Sequence, residues 1–143
     1  MSTSRNKVNA YPGQPSITLG SNGTDFIADG AINAGDVVAE GANDGELATA
    51  AAGDNPVGVA VPGSFYDENG TQRDYEAGDR VAVLIDGVAY LETSEAVTVG
   101  DRVATAANGQ VQTLTEGTDA EDSEVGRALD DATGSGETIR VKL

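Results

Sequence analysis

The sequence predicts an all-β protein: a small β-barrel or β-sandwich of two similar halves, preceded by an extended N-terminal arm. Three observations lead there. From residue 31 onward, short β-branched runs alternate with Gly, Asp and Asn, and none sustains a 3.6-residue apolar stripe. Nineteen glycines in 143 residues favour turn-rich β structure over helix. One phrase also occurs twice, as "AINAGDVVA" at 31–39 and "AVTVGDRVA" at 96–104.

Residues 1–28 read as the arm. They are polar, contain Pro12 and Pro15, carry Arg5 and Lys7, and meet their first acidic residue at Asp25. Within them "SITLG" (16–20) alternates as a strand, with Ile17 and Leu19 as apolar anchors. A net-positive, extended segment on an acidic body is expected to become ordered by docking.

Residues 29–143 form a single domain, the default for this length. Its expected strands lie in "DVVAEG", "NPVGVAVPG", "DRVAVLIDGVAYLE", "DRVATA", "GQVQTL", "SEVGRAL" and "TIRVKL". "ANDGEL" (42–47) and "AANGQV" (106–111) predict hairpins with two-residue turns, because both turn residues accept positive φ. The order of signals repeats: a Gly-acid-x-Val lead-in, a hairpin, a Val-Gly-x-Ala strand, and a second Gly-acid lead-in to a closing strand. Gly35 and Gly100 lie 65 residues apart, Gly58 and Gly126 68 apart. The halves are therefore drawn at 31–88 and 96–143, the first carrying an insert at 62–76. Two such units can bury their apolar faces against each other.

Three Gly-Asp pairs (35–36, 78–79, 100–101) are the first candidates for chemistry. Their recurrence at like positions favours geometry, with Gly at a positive-φ turn position and Asp bonding a nearby backbone N–H. Catalytic carboxylates would have to converge on one point. The loop "EGTDAEDSE" (116–124) holds five carboxylates in nine residues and suits a hard cation. Its spacing is not that of an EF-hand, and a solvated loop is expected, as for Asp67–Glu68 and Asp130–Asp131.

Other chemistry has little material. There is no histidine and no cysteine, hence no imidazole base, no thiolate site and no disulfide. Ser64, Ser94, Ser123 and Ser135 lie among turns outside any Gly-x-Ser-x-Gly. "GSNG" and "GSG" are too short and too acidic in context for phosphate cradles. Few aromatics are present to line a sugar cleft. No enzyme, cofactor or metal is expected.

Charge narrows the partners. With 24 Asp plus Glu against 8 Lys plus Arg, the net charge is -16. Nucleic acid needs a basic footprint that is missing. No apolar run approaches the roughly 20 residues of a membrane helix, and the first residues lack a signal-peptide core. A soluble protein made in the cytoplasm is expected. The abundance of carboxylate, the scarcity of lysine (Lys7 and Lys142) and the small apolar residues point to work in concentrated salt.

Taken in order, "AINAGDVVA", "NPVGVAV", "YEAGDRVAVLIDGVAYLETSEAVTVGDRVATAANGQVQ" and "EVGRALDDATGSGETIRVKL" resemble the capsid cement, or head decoration, proteins of tailed viruses. The likeness covers roughly residues 28–143; single motifs carry little information and their order carries the resemblance. It implies a structural virion protein that decorates and stabilises the outer surface of an icosahedral capsid. It would clamp adjacent major capsid proteins as a homotrimer. The acidic departure from the usual pattern of that family points to a virus of haloarchaea or another extreme halophile. On this reading Arg5, Lys7, Tyr11, Ile17 and Leu19 are the capsid-facing residues, and "SITLG" adds to a neighbouring sheet edge. The rival reading is a ligand- or sugar-binding β module of a halophilic cell surface. A lipoyl-type carrier is disfavoured, because both lysines sit near the chain ends rather than at a hairpin tip.

Overall fold

Runs of three to five alternating residues, each ended by a turn, are too short to be stable singly, so partner choice defines the fold. A computed structural model describes residues 16–18, 26–63 and 65–143. Its strands are β1 (Ser16–Thr18), β2 (Ile27–Ala28), β3 (Val37–Glu40), β4 (Glu46–Thr49), β5 (Pro56–Ala60) and β6 (Val83–Asp86). They continue with β7 (Val88–Glu92), β8 (Arg102–Thr105), β9 (Val111–Thr113), β10 (Glu124–Ala128) and β11 (Thr138–Lys142). Two 3-10 turns, Ala107–Gly109 and Glu121–Ser123, are the only helical elements among the described residues. The all-β expectation holds.

Two sheets carry the strands. Their orders are β1-β6-β5-β3-β4-β2 and β7-β11-β10-β8-β9, so β6-β5-β3-β4 recurs as β11-β10-β8-β9. The correspondence reaches single hydrogen bonds. Gly35 N–H donates to Ala60 O at 2.7 Å, and Gly100 N–H to Ala128 O at 2.8 Å. Ile32 and Tyr75 exchange backbone bonds as Val97 and Ala132 do. The chain passes from one sheet to the other at Gly87, between β6 and β7.

The correspondence also begins earlier than residue 31. Ala28 N–H bonds Asp79 O as Thr93 N–H bonds Glu137 O, and β2 runs parallel to β4 where Thr93 bridges Val111. Residues 26–28 thus belong to the first sheet. At its other edge β1 pairs antiparallel with β6, opposing Ile17 to Leu84, as β7 pairs with β11, opposing Val88 to Lys142. The strand-like "SIT" occupies the place that β7 has in the second sheet.

Alternation along the strands divides the core into two layers. Val38, Ala60, Val81 and Val83 point into the curl of the first sheet, with Ile32, Leu47 and Tyr75. Val37, Val59, Val61 and Leu84 point the other way and pack against Leu91, Val103, Ile139 and Val141 of the second half. The outer face of the first sheet is therefore covered by the inner face of the second. Each of these fully buried Val and Leu side chains contributes about 1.5–3 kcal/mol.

Both expected hairpins form, with different loops. Asn108 (φ 59°) and Gly109 (φ 71°) do take positive φ, yet Ala106 N–H bonds Gln110 O, leaving a three-residue loop. The seam between the halves explains it: Gly109 N–H donates to Ala50 O at 2.9 Å, and a Cβ there would meet the Asp36 side chain at 2.8 Å. In the first hairpin only Gly45 has positive φ, at 79°. There the Glu46 carboxylate clasps the backbone and side-chain amides of Asn43 at 3.2 and 2.9 Å, selecting a longer loop.

Candidate interaction surfaces

The Gly-acid pairs are built as turns. At each, an Asp carboxylate accepts the backbone N–H three residues earlier: Asn33 at 3.0 Å, Glu76 at 2.8 Å and Thr98 at 3.0 Å. Each Asp N–H returns to that residue's carbonyl at 3.0 Å. Ala51–Asp54 repeats the clasp without having been singled out in the sequence. The carboxylates are spent on their own turns and do not converge. Thr49 donates its hydroxyl to Asp36 at 3.0 Å, and Thr113 stands likewise 3.4 Å from Asp101.

Their electrostatics differ with their surroundings. Burial at the seam pushes the Asp36 carboxyl above its usual range; Asp74 and Glu92 add to the rise, while the Asn33 amide and Thr49 hydroxyl oppose it. The Arg73 guanidinium, 2.7 Å away, holds Asp79 below its usual range.

The acidic loop is anchored rather than simply solvated. The Arg102 guanidinium meets Glu121 and Glu124, each at 2.6 Å, and Glu116 at 3.6 Å; its hydrogen bonds to Glu121 and Glu124 raise its own pKa further. A cation already sits among these carboxylates, and it is a side chain. Asp119 caps Thr115 N–H at 2.7 Å. Asp130 chelates Arg140, whose hydrogen bonds pull the carboxyl down to about 2. Asp131 accepts Val99 N–H at 2.7 Å. No group of three or more potential ligands is arranged to hold a metal among the described residues.

The described part of the insert at 62–76 is a small hairpin whose base packs on the core. Tyr66 bridges Gln72, Phe65 packs edge-on to Tyr75 at 5.9 Å, and Arg73 lies 4.8 Å over the Phe65 ring. Tyr75 is buried and donates its hydroxyl to Val61 O at 2.6 Å, so it belongs to the core as well as to the insert. Tyr66 projects, 60% exposed.

Among the arm residues named from sequence, Arg5, Lys7, Tyr11 and Leu19 lie outside the described residues. Ile17 is placed on β1, across from Leu84 of its own chain.

A second basic feature escaped the sequence reading. Arg102, Arg127 and Lys142 stand directly opposite one another across β8, β10 and β11, so they share one face. Arg140 lies two residues along β11, opposite the exposed Tyr90. These four are half of all the basic residues in the chain. The signal was present as Arg or Lys at the outward positions of "DRVATA", "EVGRAL" and "TIRVKL", but neighbourhood across strands is invisible before the register is known.

The model of a family described as structural cement protein (E217 gp24/Pam3 gp6) matches residues 2–143. No curated protein matches the chain. Among solved structures, the N base of the head fiber gp8.5 of bacteriophage phi29 is similar in fold, with a TM-score of 0.61 at 20% identity. The match covers 82% of this chain and 89% of that one.

Proposed function

The chain belongs to the structural cement protein family of phages, and from that premise we propose that it decorates the outer surface of an icosahedral capsid. There it clamps adjacent major capsid proteins, as a homotrimer, and makes no use of catalysis, nucleic acid or membrane. The single observation that carries this reading is the family match over nearly the whole length. A capsid role fits the chemistry: the aspartates are spent on turns, the acidic loop is closed by an arginine, and pre-shaped β units offer rigid surfaces. The net charge of -16 supports a virus of a halophilic host.

The arm remains the proposed shell-facing element, with one refinement. Because β1 occupies an edge of the chain's own first sheet, residues 2–15 are assigned the docking and 16–18 the closure of the sheet. Purified protein added to undecorated heads should bind and raise their thermal midpoint. A variant lacking residues 2–15 should keep the melting temperature of the body and lose occupancy. Unchanged occupancy would reject the arm, and failure of the full chain to bind heads at any salt concentration would reject the cement role.

A further inference from the structure

We propose that the outer face of the second sheet, centred on Arg127 and Lys142, binds the acidic surface of a second copy of this chain. The inference rests on the trimer reading above and names the face that would serve it.

The two halves make the case by comparison. Matching hydrogen bonds and registers set Arg102 in the place of Val37, Arg127 in that of Val59, Lys142 in that of Leu84, and Arg140 in that of Ala82. In the first sheet these four positions are buried beneath the second half. In the second sheet the same face is turned outward, and all four positions hold a cation. The acidic loop partly covers Arg102, whereas Arg127, Arg140 and Lys142 are exposed.

Their ion pairs separate the four. Arg102 is met by Glu121 and Glu124, and Arg140 by Asp130. Arg127 reaches the Gly100 carbonyl at 3.2 Å, and no carboxylate among the described residues forms an ion pair with it or with Lys142. Two like charges directly opposite on adjacent strands repel. Keeping them side by side in a protein with three times as many acids as bases is intelligible if carboxylates arrive from outside. The surface rich in carboxylates that the molecule itself supplies is the rest of its own body. The contact is heterologous, basic face to acidic face, the type that closes into rings. Tyr90, 57% exposed beside Arg140, gives the face an aromatic anchor.

The test compares wild type with the double reversal Arg127→Glu/Lys142→Glu and the neutral pair Arg127→Gln/Lys142→Gln, by native mass and by occupancy on undecorated heads. Wild type should show an oligomeric mass, the reversal the mass of a single chain, and the neutral pair a dissociation constant raised at least tenfold. Thermal unfolding at matched salt identifies any variant that has lost its fold, and the neutral pair then carries the comparison. Retention of the wild-type mass by the reversed variant overturns the proposal, as does loss of head occupancy with the mass retained, which would give the face to the shell. A wild type that is a single chain at all concentrations overturns both this proposal and the trimer, while leaving head binding to be scored separately.

Discussion

Gly58 and Gly126 occupy one position in two sheets. At Gly58 a Cβ would strike the Leu84 carbonyl oxygen and stand 2.6 Å from a Val83 methyl; at Gly126 it would strike the Lys142 carbonyl oxygen and stand 3.0 Å from a Val141 methyl. Both glycines lie where the register shifts by a bulge, in β3–β5 and in β8–β10. The Val-Gly-x-Ala phrase is thus a close-approach device used twice. Gly58→Ala and Gly126→Ala should each destabilise the protein by about 1–3 kcal/mol in chemical denaturation, the cost of overpacking against backbone. A loss under half a kcal/mol at either site would mean that the strands can part freely there.

The hydroxyl of Tyr75 ties the insert to the core. It donates to Val61 O and stands 3.3 Å from Ala82 N–H, both in buried surroundings. Tyr75→Phe should cost about 1–3 kcal/mol by leaving these backbone groups without that partner. Tyr66→Phe, on the exposed tip, should leave the unfolding midpoint unchanged and serves as the control.

Acid should act on Asp130 and Asp36 in opposite senses. Asp130 is held at about 2 by Arg140, below its unfolded value near 3.8, so its contribution is present above pH 4 and disappears as pH falls through 2. Asp130→Asn should therefore lower the melting temperature at pH 7, with the difference from wild type shrinking towards pH 2. Asp36 is raised, chiefly by burial, so its ionisation opposes folding and acidification through its pKa relieves that opposition. The stability of wild type relative to Asp36→Asn should accordingly rise as pH falls from 7 to 4. Parallel melting curves across that range would contradict the buried-carboxylate account.

The place of β1 can be tested covalently. The chain has no cysteine, so a Ser16→Cys/Asp86→Cys pair would report on the β1–β6 register without competition. Oxidation should give a bridge within one chain, seen as a single-chain band under non-reducing conditions. A ladder of linked chains would show that β1 reaches a neighbour's sheet instead.

Salt should stabilise the body. Each rise in ionic strength shortens the Debye length, to roughly 3 Å at 1 M, and weakens repulsion among unpaired carboxylates. The melting temperature should climb between 0.2 and 3 M NaCl, these being about 7 Å and under 3 Å of screening length. A flat response would count against the halophilic reading.

Much of this was legible in the chain. The turn role of Asp36, Asp79 and Asp101 followed from local chemistry, because an Asp three residues after a free N–H can satisfy it wherever the sequence recurs. Strand identity followed from β-branched runs, and the twofold order of motifs pointed to a duplicated β unit. These are short-range properties, decided within four or five residues.

Only the tertiary structure decided what each outward position meets. Val37 and Arg102 follow the same Gly-Asp turn, yet one is buried beneath the second half and the other lies on the outer face. The choice of Val or Arg is written locally, but its meaning depends on whether another layer packs above it. Likewise "SIT" read as a strand in search of a partner, and the partner proved to be β6, far along the same chain. Hydrogen-bond pairing and burial are relations between distant segments, and a linear pattern specifies each segment's face without saying what will lie against it.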